Sequence, residues 1–223
     1  MTGDLAKRVT AEALGTALLL AAVVGSGIMA QRLAGGNVAL ALLCNAIATG
    51  ATLIVLILIF GPLSGAHFNP VVSAAFAARR DIAWADAALY ISAQFAGGVL
   101  GVLVAHLMFD LAPFQLSQTV RTGPSQWLSE AVATFGLLLT IFGCLVSAPA
   151  SVPYAVGLYI TAAYWFTAST SFANPAVTVA RSLSDTFAGI APGNAPAFLI
   201  AQIIGAILAL AVSGWLWRSV ARR

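Results

Sequence analysis

The tripeptide Asn-Pro-small occurs twice, as Asn69-Pro70-Val71 in GPLSGAHFNPVVSAAFAARR and as Asn174-Pro175-Ala176 in STSFANPAVTVARSL. Each copy heads a short run that reads as helix. Asparagine caps a helix N-terminus, and proline suits the first turn, where its missing N–H would have no partner anyway. One Asn-Pro is a common turn. Two, one in each half of an apolar chain, form a paired device. If both caps met inside a membrane, two partly positive helix N-termini would face one point. Such a point suits a pore that passes neutral solutes and rejects cations.

Composition places that point in a bilayer. The chain is 61% hydrophobic and 8% charged, against about 25% charged in a soluble domain. A single soluble core cannot hide so much apolar surface, so the chain is an integral membrane protein. Its net charge of +3 resides in termini and loops, which argues against a nucleic-acid partner. Cys44 and Cys144 lie in apolar stretches with no disulfide framework and no metal spacing. They read as buried small hydrophobes, a thiol site for a soft metalloid being the alternative. No metal or cofactor is expected. The apolar run after Lys7 and Arg8 starts where a signal peptide would. It extends from Val9 to Ala30, long enough for the about 20 residues a spanning helix needs, and its polar pattern recurs in mid-chain.

Six spans are expected, at 8–30, 38–60, 84–109, 126–147, 152–169 and 196–218, the fifth being short. The segments 61–83 and 170–195 are too polar and broken to span. Each reads as a loop followed by a half-helix of about ten residues, a backbone tolerated at membrane depth only where it is buried or lines a wet cavity. The halves repeat. Glu12-Ala13-x-x-Thr16 matches Glu130-Ala131-x-x-Thr134, the Asn-Pro pairs match, and Ala93-Gln94-x-x-Gly97 matches Ala201-Gln202-x-x-Gly205. Three spans per half make the second copy inverted, so 1–223 is one channel domain with inverted repeats at about 8–109 and 126–218 and a site near the midplane. With the N-terminus inside, Lys7, Arg8, Arg79, Arg80, Arg218, Arg222 and Arg223 are cytoplasmic, while Arg32, Arg121 and Arg181 are outside. This excess predicts cytoplasmic termini in the plasma (inner) membrane.

Unpaired N–H groups at the half-helix N-termini, with the amides of Asn69 and Asn174, would offer donors to a passing oxygen. Converging dipoles would raise a barrier to hydronium and other cations. Glu12 and Glu130 lie inside spans, where an ionisable group is costly. They read either as a proton relay or as acceptors for the loop of their own half, and their symmetric placement favours the second. Gln94 and Gln202, also paired, would brace the same loops. His67, two residues before Asn69, would line the cytoplasmic mouth, and His106 reads as an interfacial side chain with no role.

GAHFNPVVSAA and SFANPAVTVAR resemble the two signature loops of the aquaporin, or major intrinsic protein, family, and the likeness extends over nearly the whole chain. It implies an all-α hourglass of six tilted spanning helices plus two re-entrant half-helices. It also implies a homotetramer with one pore per subunit, and passive conduction. In that family an arginine usually follows the second Asn-Pro-Ala at the outer constriction. Here Val177 stands there, and the nearest arginine, Arg181, lies one turn further along, not expected to replace the charge. The constriction position on the second helix falls on Thr49, where water- and glycerol-selective members carry an aromatic. The loop position is Ser171, and the fifth-helix position is Tyr164 or Ala162, with Tyr164 preferred. Val71 replaces the family's alanine beside the first cap.

Losing a guanidinium removes a plug and five donors. The filter is therefore wider and less charged than a water filter, suited to neutral polyols. The valine-for-arginine pattern resembles bacterial aquaglyceroporins of the arsenic-resistance type, which implies arsenite (arsenous acid), antimonite, glycerol-like polyols and some water as permeants. A strict water channel needs a narrow, charged constriction. A secondary transporter would use Glu12 or Glu130 for coupling, and a junction protein would need larger loops. No nucleophile–base pair or phosphate-cradling loop suggests an enzyme.

Overall fold

The computed structural model describes residues 4–217. Arg218, Arg222 and Arg223 of the charge count, and the last residue of the sixth expected span, lie outside the described residues. Eight α-helices follow in order: α1 Leu5–Leu33, α2 Val38–Ser64, α3 Pro70–Ala78, α4 Trp84–Met108, α5 Pro124–Ser147, α6 Val152–Phe166, α7 Pro175–Arg181 and α8 Ala195–Leu216. Single 3-10 turns, Pro149–Ser151 and Pro192–Asn194, precede α6 and α8, and no strand occurs among the described residues.

Among the described residues, five helices are long and apolar enough to cross a membrane. The sixth, α6, has 15 residues, lengthened at its head by the turn Pro149–Ser151. It stops at Phe166, short of the expected 169, because Thr167 adopts an extended backbone that leads into the second loop. The half-helices α3 and α7 have 9 and 7 residues, a little shorter than the sequence suggests.

Large apolar side chains such as Leu14, Leu18, Ile47, Ile59, Ile203 and Ile207 cover the outer surface, while Glu12, Thr16, Gln94, Glu130 and Gln202 are buried. That distribution suits a lipid exterior around a polar interior. Glycine brings backbones into contact at several helix crossings, two of them equivalent in the two halves. A Cβ on Gly97 of α4 would lie 2.2 Å from the Ala13 carbonyl oxygen of α1, and one on Gly205 of α8 would lie 2.3 Å from that of Ala131 in α5. The same contact thus builds the α1–α4 and α5–α8 pairs.

Polar contacts tie the helix ends. At one end Arg8 pairs with Asp86 at 3.0 Å and donates to the Tyr90 hydroxyl, which donates to the Ser64 carbonyl. At the other, Arg32 donates to the Phe109 carbonyl at 3.1 Å. His106 departs from expectation. The segments after α4 and α7 fold back over it, so it is fully buried, with Nδ1 2.8 Å from the Pro113 carbonyl and Nε2 2.9 Å from Ser184 Oγ. Cys44 is exposed and Cys144 half-exposed, so neither is the buried hydrophobe expected of it. Hydropathy alone does not distinguish a helix face turned to lipid from one turned to the core.

Candidate functional site

Two loops enter the helix bundle, 65–69 before α3 and 170–174 before α7. Both adopt the same backbone. Gly65, Ala66 and Phe68 have positive φ, and so do Thr170, Ser171 and Ala173. The left-handed region costs a residue with a side chain about 1–2 kcal/mol, so something must hold five such residues in place.

Two buried carboxylates do so. Glu12 Oε1 accepts from Ser64 Oγ at 2.6 Å and His67 N at 2.9 Å, and Oε2 from Phe68 N at 2.7 Å and Gln94 Nε2 at 2.8 Å. Glu130 repeats the set. Its Oε1 accepts from Ser169 Oγ at 2.6 Å and Phe172 N at 2.8 Å, and its Oε2 from Ala173 N at 2.9 Å and Gln202 Nε2 at 2.7 Å. Gln94 also donates to Ser73 Oγ in α3, and Gln202 to Thr178 Oγ1 in α7, both at 2.9 Å. A trans peptide sets each carbonyl opposite the following N–H. The carbonyls of Ala66, His67, Ser171 and Phe172 therefore point away from the carboxylates, and all four residues border the central cavity.

The two asparagines close the arrangement at the centre. Asn69 Oδ1 caps α3 through Val71 N at 3.1 Å, and Asn174 Oδ1 caps α7 through Ala176 N at 2.9 Å and Val177 N at 3.2 Å. Asn69 Nδ2 donates to the Ala173 carbonyl and Asn174 Nδ2 to the Phe68 carbonyl, each at 2.8 Å. The half-helix N-termini thus abut. Pro70 and Pro175 occupy the first helical positions, and Val71 and Ala176 follow, all buried. Each amide retains a second N–H, and both asparagines border the cavity.

That cavity holds ≈ 620 Å³. It runs from Pro62, Pro149 and Pro153 past His67 and the asparagines to Thr49, Tyr164, Ser171, Val177 and Arg181. His67 is packed against Phe76 and Tyr90 with Nδ1 3.1 Å from Ser73 Oγ. Of the two fifth-helix candidates, Tyr164 borders the cavity, its hydroxyl 3.3 Å from Thr49 Oγ1, while Ala162 is exposed. Val177 presents an apolar wall, and Ser171 Oγ has no partner among the described residues.

Arg181 ends α7, one helical turn beyond Val177. It is buried but borders the same cavity as Val177, with its guanidinium 3.4 Å from the ring centre of Phe172 and Nε donating to the Ala188 carbonyl. Sequence reasoning also passed over Ser64 and Ser169, each five residues before its asparagine, and Ser73 and Thr178, each four after. Extending the repeat alignment by a few residues reaches all four. Among the described residues no group of three or more His, Cys, Asp or Glu could hold a metal ion.

A family model described as Major intrinsic protein matches residues 2–151. Aquaglyceroporin AqpS of Rhizobium meliloti is 60% identical over 213 residues, covering 96% of this chain and 91% of that protein. Probable aquaporin AqpM of Archaeoglobus fulgidus is 30% identical, with 100% of both chains covered. Among solved structures, the aquaglyceroporin from Plasmodium falciparum matches with a TM-score of 0.77 over 99% of this chain and 100% of that one, at 19% identity. At that identity the likeness concerns the fold, which is the aquaporin fold.

Proposed function

The chain belongs to the major intrinsic protein family and is a multi-pass membrane channel for small solutes rather than an enzyme, and from that premise we propose that it conducts neutral hydroxylated solutes, arsenous acid and antimonous acid foremost, with glycerol-like polyols and some water. One observation carries this reading. Val177 borders the cavity beside Thr49, Tyr164 and Ser171, so the ring of side chains beyond the asparagines offers hydroxyls and an apolar wall. Arsenous acid, antimonous acid and glycerol each carry three hydroxyls, the first two being weak acids neutral at pH 7.

In this proposal Asn69 and Asn174 donate their remaining N–H groups to the permeant at the midplane, and the facing carbonyls accept from its hydroxyls. The two half-helix N-termini repel cations there. His67 lines the cytoplasmic mouth. Glu12, Glu130, Gln94 and Gln202 brace the loops and move no proton. The four hydrogen bonds that each carboxylate accepts support bracing over ion coupling. The chain acts as one domain of two inverted repeats, assembles as a homotetramer, and sits in the inner membrane with its termini in the cytoplasm. The relative AqpS is named an aquaglyceroporin, which fits a pore wider than water alone requires.

Arsenous acid uptake into proteoliposomes, set against empty liposomes, tests the reading. Rapid uptake that equilibrates without an imposed gradient is expected. Water flux without arsenous acid uptake would favour a water-selective channel, and uptake that requires a proton or ion gradient would favour a coupled transporter.

A further inference from the structure

Two arginines near the outer end of the cavity, Arg121 half-buried and Arg181 buried, have different surroundings. Arg121 is held by carbonyls: Nε donates to Gly189 O at 2.8 Å, Nη2 to Phe187 O at 3.4 Å and Nη1 to Ser169 O at 3.5 Å. Arg181 has one acceptor among the described residues, the Ala188 carbonyl, reached from Nε alone. Its terminal nitrogens find no protein partner there. The ion pairs among the described residues are Arg8–Asp86 and Arg79–Asp81, so neither Arg121 nor Arg181 has a carboxylate partner there. Glu130, the buried acid of this half, is already filled by four donors.

An unpaired guanidinium at membrane depth is expensive and is retained where it has work to do. Arg181 is 2% exposed and borders the cavity, one helical turn beyond Val177 on α7. The face of Phe172 holds the guanidinium plane at 3.4 Å, a cation–π contact that fixes its position without occupying its end nitrogens. Phe172 is itself anchored by its loop N–H on Glu130 and by an edge-to-face contact with Phe198 at 5.2 Å. A second observation lies in the same wall: Ser171 is 3% exposed, yet its Oγ has no partner among the described residues. Arg181 and Ser171 thus both border the cavity, and each carries polar atoms without a partner among the described residues.

We propose that Arg181, stacked on Phe172, supplies the outer pore with the fixed positive charge that Val177 lacks, and so sets its discrimination between neutral oxygen-bearing solutes and cations. The proposal rests on the channel reading above. The terminal N–H groups donate to a permeant's oxygen, as a neutral polyol or oxyacid requires. An ammonium or alkali cation meets an uncompensated like charge in a poorly screened site. Set one turn back from Val177, the guanidinium leaves the ring at Thr49, Tyr164 and Ser171 open. Width and charge selection are then carried by different residues.

The test is made in proteoliposomes holding the full chain, with methylammonium and sodium permeability each expressed relative to water permeability. Arg181→Gln is expected to raise both ratios at least about tenfold, and Arg181→Lys to return them toward wild type. A merely structural role for Arg181 would not give charge-dependent rescue. If Arg181→Gln yields no water-conducting protein, the double variant Val177→Arg, Arg181→Gln decides, because it returns a guanidinium to the preceding turn. A double variant that conducts water and excludes methylammonium supports the proposal. One that leaks methylammonium, or fails to assemble, overturns it, as does a water-conducting Arg181→Gln that excludes cations like wild type. Glycerol flux in the same wild-type vesicles reports separately on the channel reading: its absence would sink that reading and leave the cation ratios interpretable.

Discussion

His67 and Phe172 stand at the same place in their loops, two residues before Asn69 and Asn174, and their backbones do the same thing. Each N–H donates to a buried glutamate, at 2.9 Å to Glu12 and 2.8 Å to Glu130. Their side chains do different things. His67 lies among Phe76, Tyr90 and Ser73. Phe172 lies beneath Arg181, with Phe198 behind it. The four bonds that each glutamate accepts are duplicated one for one, while the side chains bordering the cavity are not. A frame under the cost of positive φ and buried polar groups tolerates little change. Positions that only border the cavity are free to diverge, so chemistry that distinguishes solutes belongs there.

The largest expected effect tests the frame. Glu12→Ala and Glu130→Ala each orphan four donors at membrane depth, and at about 1–3 kcal/mol per unsatisfied group either should prevent a folded, conducting protein. Thermal unfolding in detergent should show comparable losses for the two. A large loss for one and a small loss for the other would break the equivalence of the loops. Next come Gly97→Val and Gly205→Val, which push side chains into backbone carbonyls that cannot swing aside. Each should cost about 1–3 kcal/mol or more, read as a lowered unfolding temperature, again with both sites alike. Smaller still are Asn69→Ala and Asn174→Ala, each losing a helix cap worth about 1 kcal/mol. Solute flux should fall more than stability does, because the lost amide also faces the cavity. A variant with full flux would show that the asparagine donors are not used in passage.

Much of this frame was legible in the chain. Asn69-Pro70 and Asn174-Pro175 announce capped half-helices, and Glu12, Glu130, Gln94 and Gln202 stand out as polar residues repeated inside apolar runs. What stayed hidden follows from what sequence patterns do not carry. Ala66, Phe68, Ser171 and Ala173 adopt a left-handed backbone without glycine's signature, because the carboxylate bonds hold the conformation rather than local preference. His106 is buried by segments distant in sequence, through Pro113 and Ser184. Cys44 faces outward because lipid and protein core make the same demand on a small apolar residue. The reach of Arg181 depends on the position of Phe172, which joins it only in the fold.

Val177→Arg addresses the divergent wall most directly. Glycerol and water permeability would be measured side by side in proteoliposomes of wild type and variant. If Val177 keeps the pore wide, the glycerol-to-water ratio should fall at least about tenfold, the scale of a barrier raised by 1.4 kcal/mol, while water flux falls less. An unchanged ratio in a variant that still conducts water would place solute selection elsewhere and contradict the wide-filter reading.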